Sequence, residues 1–169
     1  MISCKQKQDQ LSSHQIKEQL MLDNAEAFSN VNNLKDNNSI LDTIITSNFV
    51  RNINGIEVAS DPAELKASIN VDYIGFPDLE LTNQFRVVKG NQMFSNWVIT
   101  GTNTGVYGEI PATGKKIKIT GFSHFYFNDN GLIYREDIYY NELDLLQQLG
   151  YSITCLLYTS DAADEVSPV

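Results

Sequence analysis

The sequence predicts an α+β fold. The expected shape is a cone-shaped roll: a curved antiparallel sheet with N-terminal helices packed across one face and a short C-terminal helix. Three observations predict it. Helical patterning fills the first half of the chain, strand patterning takes over after Pro77, and one last helical stretch, "NELDLLQQLG" (141–150), closes it. Helices followed by an unbroken run of strands point to segregated layers and away from alternating βαβ units.

The elements follow in order. Ser12 or Ser13 can cap a helix running to about residue 29, with Ile16, Leu20, Ala27 and Phe28 near helical spacing. "NVNNLKDNN" breaks it, and Ser39 precedes a short helix whose buried side is Ile40, Leu41, Ile44 and Ile45. "NFVRNINGIE" reads as a loop turning at Asn54-Gly55. "SDPAELKASI" starts a helix: Ser60 or Asp61 caps it, Pro62 suits its first turn, and Glu64 favours its positive end. Four strands follow: "LELTNQFRVV", "QMFSNWVITGTNTG", "KKIKITGFSHFYF" and "LIYREDIYY". Their links are Lys89-Gly90-Asn91, "VYGEIPATG" and Asp129-Asn130-Gly131.

The 169 residues suit one domain. A net charge of −9 without a basic patch argues against nucleic acid and anionic lipid surfaces. No apolar run approaches the roughly 18 residues of a membrane helix. Cys/His metal spacing, a Gly-rich phosphate loop and a nucleophile elbow are all absent, so neither metal nor cofactor is expected.

Both ends read as lying outside the domain. Residues 1–12 form a polar tether in which Ile2-Ser3-Cys4 resembles the end of a lipoprotein signal, making Cys4 a lipidation candidate. Residues 152–169 contain "CLLYTSDAADE", which matches the translation of a transposon-type sequencing adapter. The roll is expected over 13–151. Two bacterial locations stay open: the cytoplasm, or a membrane-tethered periplasmic lipoprotein.

"FPDLEL", "GTNTGVYGEIPATGKKI" and "LDLLQQLG" resemble the SnoaL-like polyketide cyclases, also called ester cyclases, of the nuclear transport factor two-like superfamily. That resemblance implies the same roll and, in the characterised cyclases, a cofactor-free intramolecular aldol ring closure. A last-strand carboxylate there moves the proton next to a carbonyl, beside a histidine. Counted ungapped from Gly131, the family histidine falls on His124 and the family aspartate on Ile138, next to Asp137. The pocket glutamine falls on Phe122, the polar loop position on Arg51 beside Asn52, and the histidine of the GTHTG-type motif on Asn103.

Register decides which of these residues share a face. A two-residue Asn130-Gly131 turn would pair His124 with Asp137. A type I turn with a bulge at Gly131 would pair His124 with Glu136. The family alignment favours the second, with Phe122, His124, Tyr126, Glu136, Ile138 and Tyr140 facing the pocket. Ile117, Ile119, Phe125 and Phe127 would lie on the other face, apolar enough to suggest a homodimer. Trp97 and Tyr140 are expected in the core or rim of the pocket. Two functions fit: a cofactor-independent enzyme acting next to a carbonyl, with His124 and Glu136 (or Asp137) as acid and base, or a non-catalytic pocket for a small hydrophobic molecule.

Overall fold

In the computed structural model, residues 12–31 and 38–152 are described. Cys4, Cys155, the tether before Ser12 and the adapter-like tail lie outside those residues.

Helix α1 (Ser13–Val31) begins with a reciprocal cap. The Gln15 amide N–H donates to the Ser12 hydroxyl (3.3 Å), and the Gln15 side chain accepts from the Ser12 N–H (2.8 Å). The helix buries Met21, Ala25, Phe28 and Val31, whereas Ile16 and Leu20, expected on its apolar face, remain exposed. A 3-10 turn (Asn38–Ile40) leads into α2 (Leu41–Ile44). In α3 (Pro62–Gly75), Asp61 accepts from Ala63 and Glu64 N–H, both at 2.8 Å, and Glu64 reaches back to the Ser60 N–H. Helix α4 (Glu142–Leu149) is capped by Asn141 and ends at Gly150, whose φ of 99° suits a residue without Cβ.

Six strands form one sheet: β1 (Ile45–Ile53), β2 (Ile56–Ala59), β3 (Glu80–Lys89), β4 (Gln92–Thr102), β5 (Lys116–Phe127) and β6 (Ile133–Tyr140). Their order is β2-β1-β6-β5-β4-β3. The segment expected as a loop is the β1–β2 hairpin. Asn54 (φ 51°) and Gly55 (φ 85°) make a two-residue turn between paired Ile53 and Ile56. Strand β1 then runs parallel to β6, so the sheet is mixed and β6 lies inside it, flanked on both sides. Register shifts at Arg51/Asn52, Asn83/Phe85 and Tyr126/Phe127 add local bends to the curvature.

The β5–β6 hairpin contains two irregularities. Its turn is the bulged one: Gly131 N–H donates to Asn128 O (3.0 Å), Asn128 N–H donates to Leu132 O (2.9 Å), and Gly131 has φ 76°. Alone, that turn would pair His124 with Glu136. Tyr134, however, is an extra residue between the pairs Phe127–Ile133 and Tyr126–Arg135. This second bulge moves the register back by one, so His124 pairs with Asp137 and Phe125 with Glu136.

Along the inner face of the sheet the side chains fall into three layers. Phe49, Met93, Phe125, Phe127 and Ile133 pack with α1, α2 and α3 at the closed end of the cone. A polar layer follows: Arg51, Ser95, Ser123 and Glu136, all buried. Beyond it Trp97, Ile117 and Ile119 pack with Phe76, Leu145 and Leu149 around a hollow. Gly121 belongs to this layer because any Cβ there would overlap the Trp97 ring.

Candidate functional site

The hollow is a cavity of about 380 Å³, a size typical of small-molecule sites. Ile53, Leu79, Leu81, Ile99, Ile138 and Leu145 give it mainly apolar walls.

The polar layer forms its floor. Arg51 donates through Nε (2.9 Å) and a terminal nitrogen (2.8 Å) to Glu136 Oε2, and Ser123 Oγ donates to Oε1 (3.0 Å). Trp97 Nε1 donates to Ser123 Oγ (3.0 Å), tying the wall to the floor. The Arg51 guanidinium also lies 5.5 Å from the centre of the Phe28 ring. Glu136 is therefore a neutralised, hydrogen-bonded anion and holds the floor together.

Two phenols and a carboxyl occupy the rest of the cavity. Tyr107 and Tyr140 are hydrogen-bonded to each other, and burial raises both. Tyr140 is pushed up to about 12. Asp72, in the last turn of α3, is raised to about 6 by burial, against the pull of Arg51. Sequence reasoning missed Asp72, although a signal was present: positions 65, 69, 72 and 76 form one helical stripe of Leu, Ile, Asp and Phe.

The loop between β4 and β5 places Tyr107. Asn103, fully buried, donates to the carbonyls of Gly75 (3.2 Å) and Gly105 (2.9 Å) and accepts from Thr113 N–H (2.8 Å) and Oγ1 (2.9 Å). A methyl on Gly105 would overlap the Ile74 carbonyl, and one on Gly75 would lie 2.7 Å from Tyr107 Cβ. The GTNTG run is thus a clasp between this loop and the end of α3.

The sequence-derived candidates divide between the two faces. Arg51, Trp97, Glu136, Ile138 and Tyr140 line the cavity. Phe122, His124 and Tyr126 do not, because the Tyr134 bulge gives the inner face to odd-numbered residues of β5. Asn52 and Asp137, paired across β1 and β6, also lie on the outer face. His124 sits on the outer face in an aromatic ladder, 4.2 Å from Phe94 and 4.0 Å from Tyr126 between ring centres, with Nε2 2.9 Å from Gln92 Oε1. Burial holds its imidazole below the ordinary value, against the pull of Asp137. Burial pushes the Asp137 carboxyl up, but hydrogen bonds from Arg135 (2.9 Å), Asn52 (2.7 Å) and Tyr126 (3.1 Å) outweigh it and hold the group below the usual range. The expected His124–Glu136 pair is therefore divided by the sheet itself.

Among the described residues no three His, Cys, Asp or Glu side chains gather to hold a metal ion, and no helix is long and apolar enough to cross a membrane.

The same architecture occurs in solved structures. A Jannaschia sp. CCS1 protein assigned as a SnoaL-like polyketide cyclase superposes with a TM-score of 0.72 at 15% identity, over 80% of this chain and 94% of that one. TsrD from Streptomyces laurentii gives 0.65 at 22%, over 83% and 98%. A SnoaL-like polyketide cyclase from Agrobacterium tumefaciens gives 0.62 at 17%, over 77% and 98%. A search of curated protein sequences finds no match. At these identities the likeness is one of fold. The sequence profile of the SnoaL-like polyketide cyclases, however, matches residues 20–149, most of the chain. With its cone, its clasped loop and its apolar cavity, the chain belongs to the SnoaL-like polyketide cyclase family.

Proposed function

We propose that the cavity binds a small, largely apolar molecule carrying a carbonyl group and moves a proton on the carbon beside it, without a cofactor. The observation that carries this reading is the convergence of Asp72, Tyr107 and Tyr140 in an otherwise apolar cavity. Abstraction of a carbon-bound proton needs a base and donors for the developing oxyanion, and both are more effective away from water.

A non-catalytic binding role is the second reading. Ile138, where the resemblance puts the family aspartate, is an apolar part of the cavity wall, and Glu136 is committed to Arg51 and Ser123. Binding is common to both readings and can be tested directly. Trp97 is the sole tryptophan of the sequence and lines the cavity. Titration with neutral bicyclic ketones, 2-tetralone first, should shift or quench its fluorescence saturably. Unchanged emission up to millimolar ketone would rule out both.

We also propose a homodimer, through a different face from the one expected. Ile117, Ile119, Phe125 and Phe127 are buried inside the cone. The available apolar surface is the outer face, where Phe85, Val87 and Tyr139 are each at least half exposed beside the Phe122–Phe94–His124–Tyr126 ladder. A second copy is the favoured occupant because the patch itself is apolar and aromatic, and the carboxylate that borders it, Asp137, is already paired with Arg135. Light scattering at micromolar concentration should give twice the chain mass, and Phe85→Glu with Val87→Lys should halve it. A monomeric wild type would refute the proposal.

A further inference from the structure

We propose that Asp72 is the base of this cavity and that the Tyr107–Tyr140 phenols hold the carbonyl oxygen of the molecule it acts on. The inference rests on the proton-transfer reading above and places its chemistry on a helix, away from the strand carboxylates.

Three features of the geometry support it. Asp72 occupies the apolar stripe of α3, whose neighbours Leu65, Ile69 and Phe76 are each no more than 2% exposed, and with Ser68 and Val71 it faces the cavity. Among the described residues no N–H or O–H is bonded to its carboxyl, whereas Glu136 takes three such bonds. A carboxylate that already accepts three hydrogen bonds is a poor base, and one left without donors is a better one. Asp72 also lies in the final turn of α3, where the helix carbonyls disfavour negative charge. An acid placed in an apolar stripe at the wrong end of a helix works against the fold, as reactive groups often do.

The electrostatic surroundings agree. Burial raises Asp72 to about 6, so it is ionised at neutral pH yet keeps an affinity for protons suited to a base. The groups acting on it or its partners are Arg51 from β1, Tyr107 from the β4–β5 loop, Tyr140 from β6 and Glu142 from α4. Glu136 neutralises Arg51 from below. Burial, the Asp72 charge and the Glu142 charge raise both phenols. They therefore stay protonated and serve as donors.

The step balances without a co-reactant. The Asp72 carboxylate takes the proton from the carbon beside the carbonyl. The C–H electron pair becomes the carbon–carbon double bond of an enolate, and the carbonyl π pair moves to the oxygen facing the phenols. Return of the proton regenerates the carboxylate, and in heavy water it leaves deuterium on that carbon.

The test is exchange of the protons beside the carbonyl of 2-tetralone in heavy water, followed by proton NMR. Wild type should accelerate exchange over buffer, with a rate rising through about pH 6 to a plateau. Asp72→Asn should lose about 10²-fold or more of that acceleration, and Asp72→Glu should restore part of it. Tyr107→Phe combined with Tyr140→Phe should lose about 10²-fold. Circular dichroism reports folding and Trp97 fluorescence reports entry of the ketone. An Asp72→Asn protein that binds 2-tetralone and exchanges it at the wild-type rate overturns the assignment and leaves the cavity reading intact. Wild type that binds without accelerating exchange also overturns it, in favour of the binding role. Wild type that neither binds nor exchanges removes the cavity reading itself.

Discussion

Asp72→Asn should stabilise the protein at pH 7.5 by up to about 3 kcal/mol, or roughly 5–10 °C in melting temperature. The folded carboxyl titrates near 6 against a reference of 3.8. Between those values the native state holds more protons than the unfolded state, so stability falls as pH rises through that window. The contribution is fully present below about pH 4 and is lost above about pH 6. Asparagine keeps the shape and never ionises, so variant and wild type should converge near pH 4 and diverge above it. Urea melts of both proteins across that range measure the difference directly. A gap that does not vary with pH would show that Asp72 is not desolvated in the folded state.

Arg51→Met should destabilise the fold by about 3–5 kcal/mol, because it leaves the Glu136 carboxylate buried with one hydrogen bond and no counter-charge. Both side chains are about 95% buried, so water cannot replace the lost guanidinium without opening the floor. The double change Arg51→Met with Glu136→Leu should recover most of the loss, since an apolar pair of similar volume avoids the desolvation of two ions. Denaturant melts of the two singles and the double complete the cycle. Additive losses would mean that the pair is not coupled. The single variant has a second signature. Arg51 pulls Asp72 down, so removing it should move the Asp72 midpoint above about 6.

The fold was legible because its signals were local. Strands β3 to β6 were visible as apolar and aromatic runs between turn residues, and α3 and α4 through their capping residues. Strand β1 was hidden because "ITSNFVRNI" places five polar or charged side chains in nine positions, and its burial depends on α1, α2 and α3 covering one face. The faces of the last hairpin were not legible. The turn was readable from Asp129-Asn130-Gly131, but Tyr134 adds a residue that nothing in "LIYREDIYY" distinguishes from regular strand. One such residue exchanges the two faces of a strand, which is why His124 was expected inside and is found outside. Arg51, Trp97, Glu136, Ile138 and Tyr140 reached the cavity, while the carboxyl on its helical wall, Asp72, was passed over as an ordinary helix polar.

Strand β5 begins at Lys116, but β6 reaches only as far as Tyr140, opposite Gly121. The "KIKIT" segment of β5 therefore has β4 on one side and no strand on the other. Gln148 of α4 fills part of that gap: its Oε1 accepts from the Lys118 N–H (2.7 Å) and its Nε2 donates to the Lys118 carbonyl (3.1 Å). One side-chain amide thus imitates a residue of a neighbouring strand. Open edges with alternating isoleucines are templates for intermolecular β-pairing. The short terminal helix therefore acts as a guard against aggregation, and a chain cut before Asn141 would lose solubility along with part of its cavity wall.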